Sequence, residues 1–266
     1  MKCFWCILLA FCILSCGGNS TGPEPEPITE PEPEPIPKPR TSDLIIDLPG
    51  GVRMAFIWVE PDTLIVEGIG FSILEIPKGF YLGKYELTQQ QWEQVMHTSP
   101  WPQREETGFT EPVYPAYNIS WIDAQDFAKK LTDLQNDGIY RLPTSMEWEY
   151  ASRAGAATSF WFFGSSPDSL SDYAWWDKNV DSAQIVGTKL PNPWGFYDIY
   201  GNVWEWTQSG RSSYLLGNQY YLKGGSYDTT PAYKASSIWF ILVPATTRDP
   251  QLGVRILREG PKVSQP

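Results

Sequence analysis

Short runs rich in β-branched and aromatic residues fill residues 44–85. They are Arg53–Val59, Leu64–Val66, Phe71–Ile76 and Phe80–Tyr85, separated by glycine, proline and aspartate. Such runs read as strands and hairpins. Thr88-Gln89-Gln90-Gln91 then gives a capping-box pattern and predicts a helix through about Met96. A proline-rich loop follows, from Pro100 to Pro115. Ser120-Trp121-Ile122-Asp123 opens a second predicted helix, in which Trp121, Ala124, Phe127, Ala128, Leu131 and Leu134 recur at helical spacing, with Gly138 as its expected terminator. Thr144-Ser145-Met146-Glu147 caps a third, which Gly155 ends. From Ser159 onward the chain reads as turns and short strands, closing with Leu222–Tyr227, Ser236–Val243 and Gly253–Leu257. The pattern predicts an α+β fold, one irregular domain with short antiparallel strands and about three helices.

The first forty residues follow different rules. Lys2 precedes an almost wholly apolar stretch, residues 3–15, and a small residue stands before Cys16. That is the layout of a secretory signal. As a helix the stretch would span only about 20 Å against a bilayer core of ~30 Å, which argues against a transmembrane anchor. Leu14-Ser15-Cys16 resembles the bacterial lipobox, which implies cleavage before Cys16 and acylation of its thiol; the plain alternative is an ordinary signal with a chance cysteine. Several acyl chains on one residue suffice for stable anchoring. Gly17 stands where an aspartate would resemble an inner-membrane retention signal, so the outer membrane is the expected address.

Residues 22–40 alternate proline with glutamate and end in Lys38-Pro39-Arg40. Alternating proline forms neither helix nor sheet and favours polyproline II. At ~3.1 Å per residue this is a semi-rigid spacer of roughly 60 Å. The expected organisation is a leader over residues 1–15, an acylated Cys16 and spacer over 16–42, a domain over 43–260 and a tail over 261–266.

Composition narrows the partners. The formal charge is −11 and no cluster of lysine or arginine offsets it, so nucleic acid is excluded as an expected partner. Aromatics make up 15% of the residues, with 13 tryptophans. Large rings at that density suit irregular backbone with awkward gaps, and equally suit a binding surface. All four cysteines, Cys3, Cys6, Cys12 and Cys16, lie in the first sixteen residues. The domain must therefore hold itself by packing, with a metal as the one further aid the sequence suggests.

Four segments together resemble the formylglycine-generating enzyme (sulfatase-modifying factor) family. They are Gly79-Phe80-Tyr81-Leu82-Gly83-Lys84-Tyr85-Glu86-Leu87-Thr88-Gln89; Pro112-Val113 through Asn118-Ile119-Ser120-Trp121 and on to Tyr140-Arg141-Leu142-Pro143-Thr144 and Trp148-Glu149-Tyr150-Ala151-Ser152-Arg153; Asn192-Pro193-Trp194-Gly195-Phe196-Tyr197-Asp198-Ile199-Tyr200-Gly201-Asn202-Val203-Trp204-Glu205-Trp206; and Lys223-Gly224-Gly225-Ser226-Tyr227 with Gly253-Val254-Arg255. They span most of residues 52–258 in the family's order. The resemblance implies a variant of the C-type lectin fold.

What it implies about chemistry is mostly loss. The oxygen-dependent enzymes of the family bind copper and their substrate through two cysteines shortly after the Gly-Gly-Ser-Tyr string. Those positions fall at about Thr229 and Lys234 here, and neither supplies the sulfur that Cu(I) needs. No copper is expected. A related branch uses three histidines around iron; this chain has only His97, near a predicted helix end. Ser226 and Trp204 match pocket residues of the enzymes, although the strings that carry them also form core turns of the fold. The family's calcium ligands carry over to the carboxylates of Asp198 and Glu205 and the carbonyls of Gly201 and Val203. That oxygen set suits a hard cation acting structurally; the alternative is a strand with Trp204 and Trp206 buried.

The segment from Asp228 to Asp249 departs most from the family. An arginine usual after the small residues near Ser236-Ser237 is replaced by Ile238, and Ile238–Val243 is unusually apolar. It reads as a buried strand or as a ligand-facing surface. Related lectin-type domains, retroelement-diversified lipoproteins among them, place their variable face here. The candidate ligand-binding residues are Trp204, Ser226, Tyr227, Asp228, Thr229, Tyr233, Lys234 and Trp239. The expected function is a non-catalytic envelope lipoprotein that binds a protein, peptide or glycan, or builds an envelope complex. The alternatives are a formylglycine-generating oxidoreductase acting on sulfatase cysteines and a calcium-dependent glycan binder. The sugar-reading motifs of calcium-dependent lectins are absent from the sequence.

Overall fold

The computed structural model describes residues 43–66, 72–101, 113–157, 160–214 and 217–260. The expected leader, Cys16, the spacer and the tail lie outside the described residues, as do Phe71, Ser159 and much of the proline-rich loop.

The first sheet gathers both ends of the domain. Its strands are β1 (Asp43–Asp47), β2 (Arg53–Val59), β5 (Phe80–Gly83), β6 (Tyr140–Arg141) and β11 (Leu257–Glu259), in the order β1-β2-β5-β11-β6 and antiparallel throughout. A separate hairpin pairs β3 (Asp62–Val66) with β4 (Ser72–Ile76). The second sheet runs β10-β7-β8-β9, from β7 (Trp204–Ser213), β8 (Gly217–Lys223), β9 (Phe240–Pro244) and β10 (Leu252–Gly253). The β10–β7 pairing is parallel, the others antiparallel.

Each of the three main helices begins where the sequence places a cap. In α1 (Gln89–Met96), Thr88 accepts from the Gln91 N–H while the Gln91 side chain accepts from the Thr88 N–H. Ser120 and Asp123 repeat the exchange for α2 (Trp121–Gln135), and Thr144 and Glu147 for α3 (Ser145–Arg153). Each box satisfies two of the donors that a helix start leaves orphaned. The second helix ends at Asn136, in the left-handed conformation, and not at Gly138. Asparagine tolerates that conformation, so the helix stops two residues early. A fourth helix, α4 (Leu170–Tyr173), is one turn long and adds to the three expected.

Two apolar clusters form the core. One joins α1 and α2 to Phe56, Leu142, Trp206 and Leu222, with Trp92 stacked on Phe127 at 5.5 Å between centroids. The other packs α3 through Trp148, Tyr150 and Ala151 against Ile57, Leu82, Trp161 and Phe196. Leu134, which shares the helical spacing of α2, is 46% exposed. The stripe loses contact with the core in the last turn.

Arg141 grips Glu147 with two hydrogen bonds of 2.7 and 2.8 Å and reaches Glu259 at 3.0 Å, so the cap of α3 is tied to β6 and β11. Burial opposes the charge of Glu147, but the Arg141 and Thr144 hydrogen bonds outweigh it and hold the carboxyl below its ordinary pKa. A carboxylate with a lowered folded pKa stabilises the fold above its unfolded pKa, and that contribution disappears as pH falls through the folded value. Glu147→Gln should therefore cost about 1–3 kcal/mol at pH 7. In urea titrations the gap from the parent should narrow below about pH 4; a gap that widens in acid would contradict this assignment.

Candidate functional site

The third family segment builds a buried charged cluster. Gly201 and Asn202 both adopt positive φ, 75° and 54°. Only glycine fits at 201, because a Cβ there would lie 2.1 Å from the Trp175 carbonyl oxygen. The turn delivers Val203 and then the start of β7, where Glu205 points into the interior at 1% exposure. Arg255, fully buried, meets it: Nε lies 3.1 Å from both carboxylate oxygens and Nη2 2.8 Å from Oε1. Trp148 Nε1 donates to Oε2 at 2.6 Å. These three N–H groups make four contacts, two on each Glu205 oxygen, and so cover its lone-pair positions. The same guanidinium donates to the carbonyls of Gly83 and Tyr197, at 3.0 and 2.8 Å.

Asp198, also at positive φ, accepts from the Gly187 N–H at 2.6 Å through Oδ2, while its Oδ1 is buried with no hydrogen-bond partner. Burial pushes its pKa up to about 6, against the Gly187 hydrogen bond and the Arg255 charge, and Glu205 adds repulsion. Glu86 is the third carboxylate. It accepts from Asn202 Nδ2 at 2.6 Å and from the Val203 N–H at 3.1 Å. Burial, followed by the charges of Asp198 and Glu205, raises its pKa well above the ordinary value. Of these carboxylates, Asp198 keeps one oxygen without a partner, whereas both Glu205 oxygens are taken by Arg255 and Trp148. Among the described residues, no group of three His, Cys, Asp or Glu side chains converges on a common metal position.

The second cluster surrounds Ser226. Gly225 before it adopts φ 86°, and a Cβ there would lie 2.8 Å from the Ala235 Cα. Ser226 is fully buried, and its hydroxyl donates to Gln251 Oε1 at 2.5 Å and lies 3.3 Å from Thr229 Oγ1. Its backbone N–H donates to Thr229 Oγ1 at 2.6 Å. Gln251 is held in turn by its N–H donating to Asp249 Oδ1, at 2.9 Å. The Gln251 carbonyl accepts from the Trp204 N–H at 2.7 Å, and Tyr227 N–H donates to the Asn202 carbonyl at 2.8 Å. The two clusters are therefore joined through the backbone of one turn.

The remaining candidates lie farther out. Asp228 is exposed, and Lys234 is half-buried at the end of a 3-10 turn whose Lys234 N–H donates to Pro231. Tyr233, 41% exposed, stands edge-on to Trp239 at 5.2 Å, and the Trp239 Nε1 is buried without a partner. The apolar run after Ile238 is neither wholly buried nor wholly free. In β9, Phe240 is 47% exposed and Ile241, Leu242 and Val243 are half-buried. Phe240 also packs edge-on against Tyr221 at 4.7 Å.

Sequence reasoning missed three residues here: Gln251, Glu86 and the central place of Arg255. Gln251 stands two positions before Gly253 in the fourth segment, and Glu86 and Arg255 lie inside the quoted segments. Their spacing from partners, more than 100 residues for Glu86 with Asn202, hides the pairing.

The chain matches the model of the sulfatase-modifying factor enzyme 1-like domain over residues 33–260. It is 30% identical over 205 residues to the chaperone protein LppX of Paenibacillus barcinonensis, covering 56% of this chain and 71% of that protein. It is 31% identical over 110 residues to the formylglycine-generating enzyme of Streptomyces coelicolor, covering 36% of this chain and 32% of the enzyme. It is 32% identical over 106 residues to the inactive C-alpha-formylglycine-generating enzyme 2 of Bos taurus, covering 36% and 33%. The match thus spans about a third of the length of these last two relatives. The fold is also that of Treponema denticola variable protein 1, with a TM-score of 0.71 at 22% identity over 82% of this chain and 99% of that one. An α+β domain with the four family segments in order, matched along nearly its whole length, belongs to the sulfatase-modifying factor (formylglycine-generating enzyme-like) family.

Proposed function

We propose that this protein is a lipid-anchored envelope protein whose domain binds a ligand or partner and does not oxidise a cysteine. The observation that carries the reading is the state of the family's pocket. Ser226 is buried and its hydroxyl is engaged by Gln251 and Thr229, and the positions to which the resemblance carries the copper-binding cysteines, at about Thr229 and Lys234, offer no thiol. A threonine hydroxyl and an ammonium cannot replace thiolates toward Cu(I) or form a mixed disulfide. Two similar proteins support a binding role without this chemistry, one bearing the name of a chaperone and one of an inactive enzyme. The ligand is a protein, a peptide or a glycan.

Anchoring rests on Cys16 and the spacer. Among the described residues no helix is long and apolar enough to cross a membrane. In this reading acyl chains on Cys16 hold the protein to the outer membrane and the spacer carries the domain clear of it. The exposed aromatics Tyr233 and Phe240, beside Tyr227, Asp228 and Trp239, form the ligand face. A structural calcium ion completes the reading, held by Asp198, the Gly201 and Val203 carbonyls and Glu205. The buried orphan oxygen of Asp198 supports it.

Three outcomes are expected. An alkyne fatty acid fed to expressing cells should label the full chain and fail to label Cys16→Ala; equal labelling would sink the anchor. Partners recovered from detergent-solubilised envelopes should be depleted several-fold by Tyr233→Ala with Phe240→Ala, at unchanged melting temperature; undiminished recovery would move the face elsewhere. Calcium at about 100 times its Kd should stabilise the protein by about 2.7 kcal/mol, a rise in Tm of roughly 5–10 °C. Asp198→Asn should lose most of that rise, and a parent protein indifferent to calcium would reject the ion.

A further inference from the structure

A sheet edge is a row of unpaired main-chain donors and acceptors, and proteins ordinarily shorten it or mark it with charge. Most edges in this domain follow that rule. In the first sheet β6 is two residues long, and β1 has an aspartate at each end, Asp43 and Asp47. In the second sheet β10 is two residues long, and the strands of the separate hairpin carry Asp62 and Glu75. The other edge of the second sheet, β9, is different. Phe240-Ile241-Leu242-Val243-Pro244 has no charged residue, and none stands anywhere from Ala235 to Thr247.

The register says which main-chain groups are open. Phe240 lies opposite Lys223, Leu242 opposite Tyr221 and Pro244 opposite Gln219. One step further on, the Ala245 N–H donates to the Asn218 carbonyl at 3.2 Å. Antiparallel pairs alternate between those that exchange bonds and those that do not. Ile241 and Val243 therefore turn their N–H and C=O groups toward β8, while Phe240, Leu242 and Pro244 turn theirs outward. Pro244 lacks an N–H and falls in the outward phase, where the β8–β9 ladder loses nothing by it. Its carbonyl accepts from the Thr247 N–H at 3.0 Å. Among the described residues, no backbone hydrogen bond reaches the outward groups of Phe240 and Leu242. Beside these open groups stand the exposed ring of Phe240 and the half-buried side chain of Leu242, with Tyr221 edge-on to Phe240 at 4.7 Å.

We infer that β9 takes up an extended peptide segment of a partner protein by strand addition, through the outward main-chain groups of Phe240 and Leu242. This rests on the reading of the surface around Phe240 as the ligand face, and it names the chemistry of the ligand. Main-chain bonds supply the affinity in this mode, and alternate side chains supply the selectivity. The paired core of the peptide is uncharged and β-branched or aromatic. A charged side chain beside Phe240 or Leu242 would lose water with no opposite charge to meet it. Outside that core, the formal charge of −11 favours basic flanks. A second copy of β9 fits less well. In an antiparallel pairing centred on Leu242, Phe240 of each copy meets Pro244 of the other, which offers no N–H and a carbonyl already in use.

The test uses the full-length protein in detergent. Its probe is a fluorescent peptide with a core of alternating valine and threonine and lysines at both ends. Binding is read by anisotropy, and the amides of Phe240 and Leu242 by hydrogen exchange. The parent should bind saturably, with both amides slowed about tenfold or more. The same peptide with every core amide methylated has no donors and should bind about tenfold more weakly. Leu242→Pro removes an outward N–H, in the phase that already holds Pro244, and should weaken binding about tenfold. Leu242→Ala keeps that N–H and should weaken binding less. If Leu242→Pro does not melt cooperatively, the methylated peptide and the exchange measurement on the parent decide. Equal affinity for the methylated peptide overturns the inference, as does binding that leaves both amides exchanging freely or a parent that binds no such peptide. Recovery of envelope partners separates the two readings. A loss with Tyr233→Ala and Phe240→Ala, beside undiminished recovery with Leu242→Pro, keeps the ligand face and rejects strand addition. Recovery indifferent to all of these rejects the face, and the inference with it.

Discussion

The contact between Arg255 and Glu205 holds the two halves of the domain in register. A guanidinium has five N–H donors and cannot discard its charge, so a fully buried arginine needs nearly every donor met. Here the donors go to Glu205 on the second sheet, to Gly83 at the end of a strand of the first, and to Tyr197 in the turn-rich segment between. Removing one partner of such a pair strands a charge, at a cost of about 3–5 kcal/mol. Beside it, Lys223 and Arg153 share Glu149, at 3.2 and 2.9 Å. Burial lowers the Lys223 pKa against the attraction of Glu149. The interior of this protein is thus organised by specific ionic contacts as well as by its aromatic filling.

In the proposed account, that organisation lets a family scaffold persist without the oxidative chemistry. The glycines, Arg255, Glu205 and Trp148 specify turns and charge balance, and none of these tasks needs sulfur. The Ser226 hydroxyl closes a local network with Thr229 and Gln251, a task that likewise needs no sulfur. In the proposed account the outer surface, from Tyr227 to Phe240, is where function has moved.

The helices were legible in the sequence because their signals are local. Thr88, Ser120 and Thr144 each reach a residue three positions on, and the boxes close as read. The early strands were legible for the same reason. The second sheet was less so: β7 emerges from a turn, its parallel partner β10 is two residues long, and its register with β8 shifts between Trp206 and Gly210. The strand β9 begins at Phe240, later than its apolar run, because its partner β8 ends at Lys223, opposite Phe240. The site divides in the same way. Asp198 and Glu205 came from a contiguous string, whereas Glu86 and Gln251 act across long separations that only the fold brings together.

The central claim is that this scaffold works by binding, its oxidative pocket being closed and without sulfur. The most direct measurement incubates the full-length protein with copper, oxygen, a reductant and a cysteine-containing sulfatase peptide, and follows the peptide by mass spectrometry. The account predicts intact cysteine at the level of a heat-killed control, from a sample whose cooperative melting proves it folded. Time-dependent conversion of that cysteine to formylglycine would contradict it.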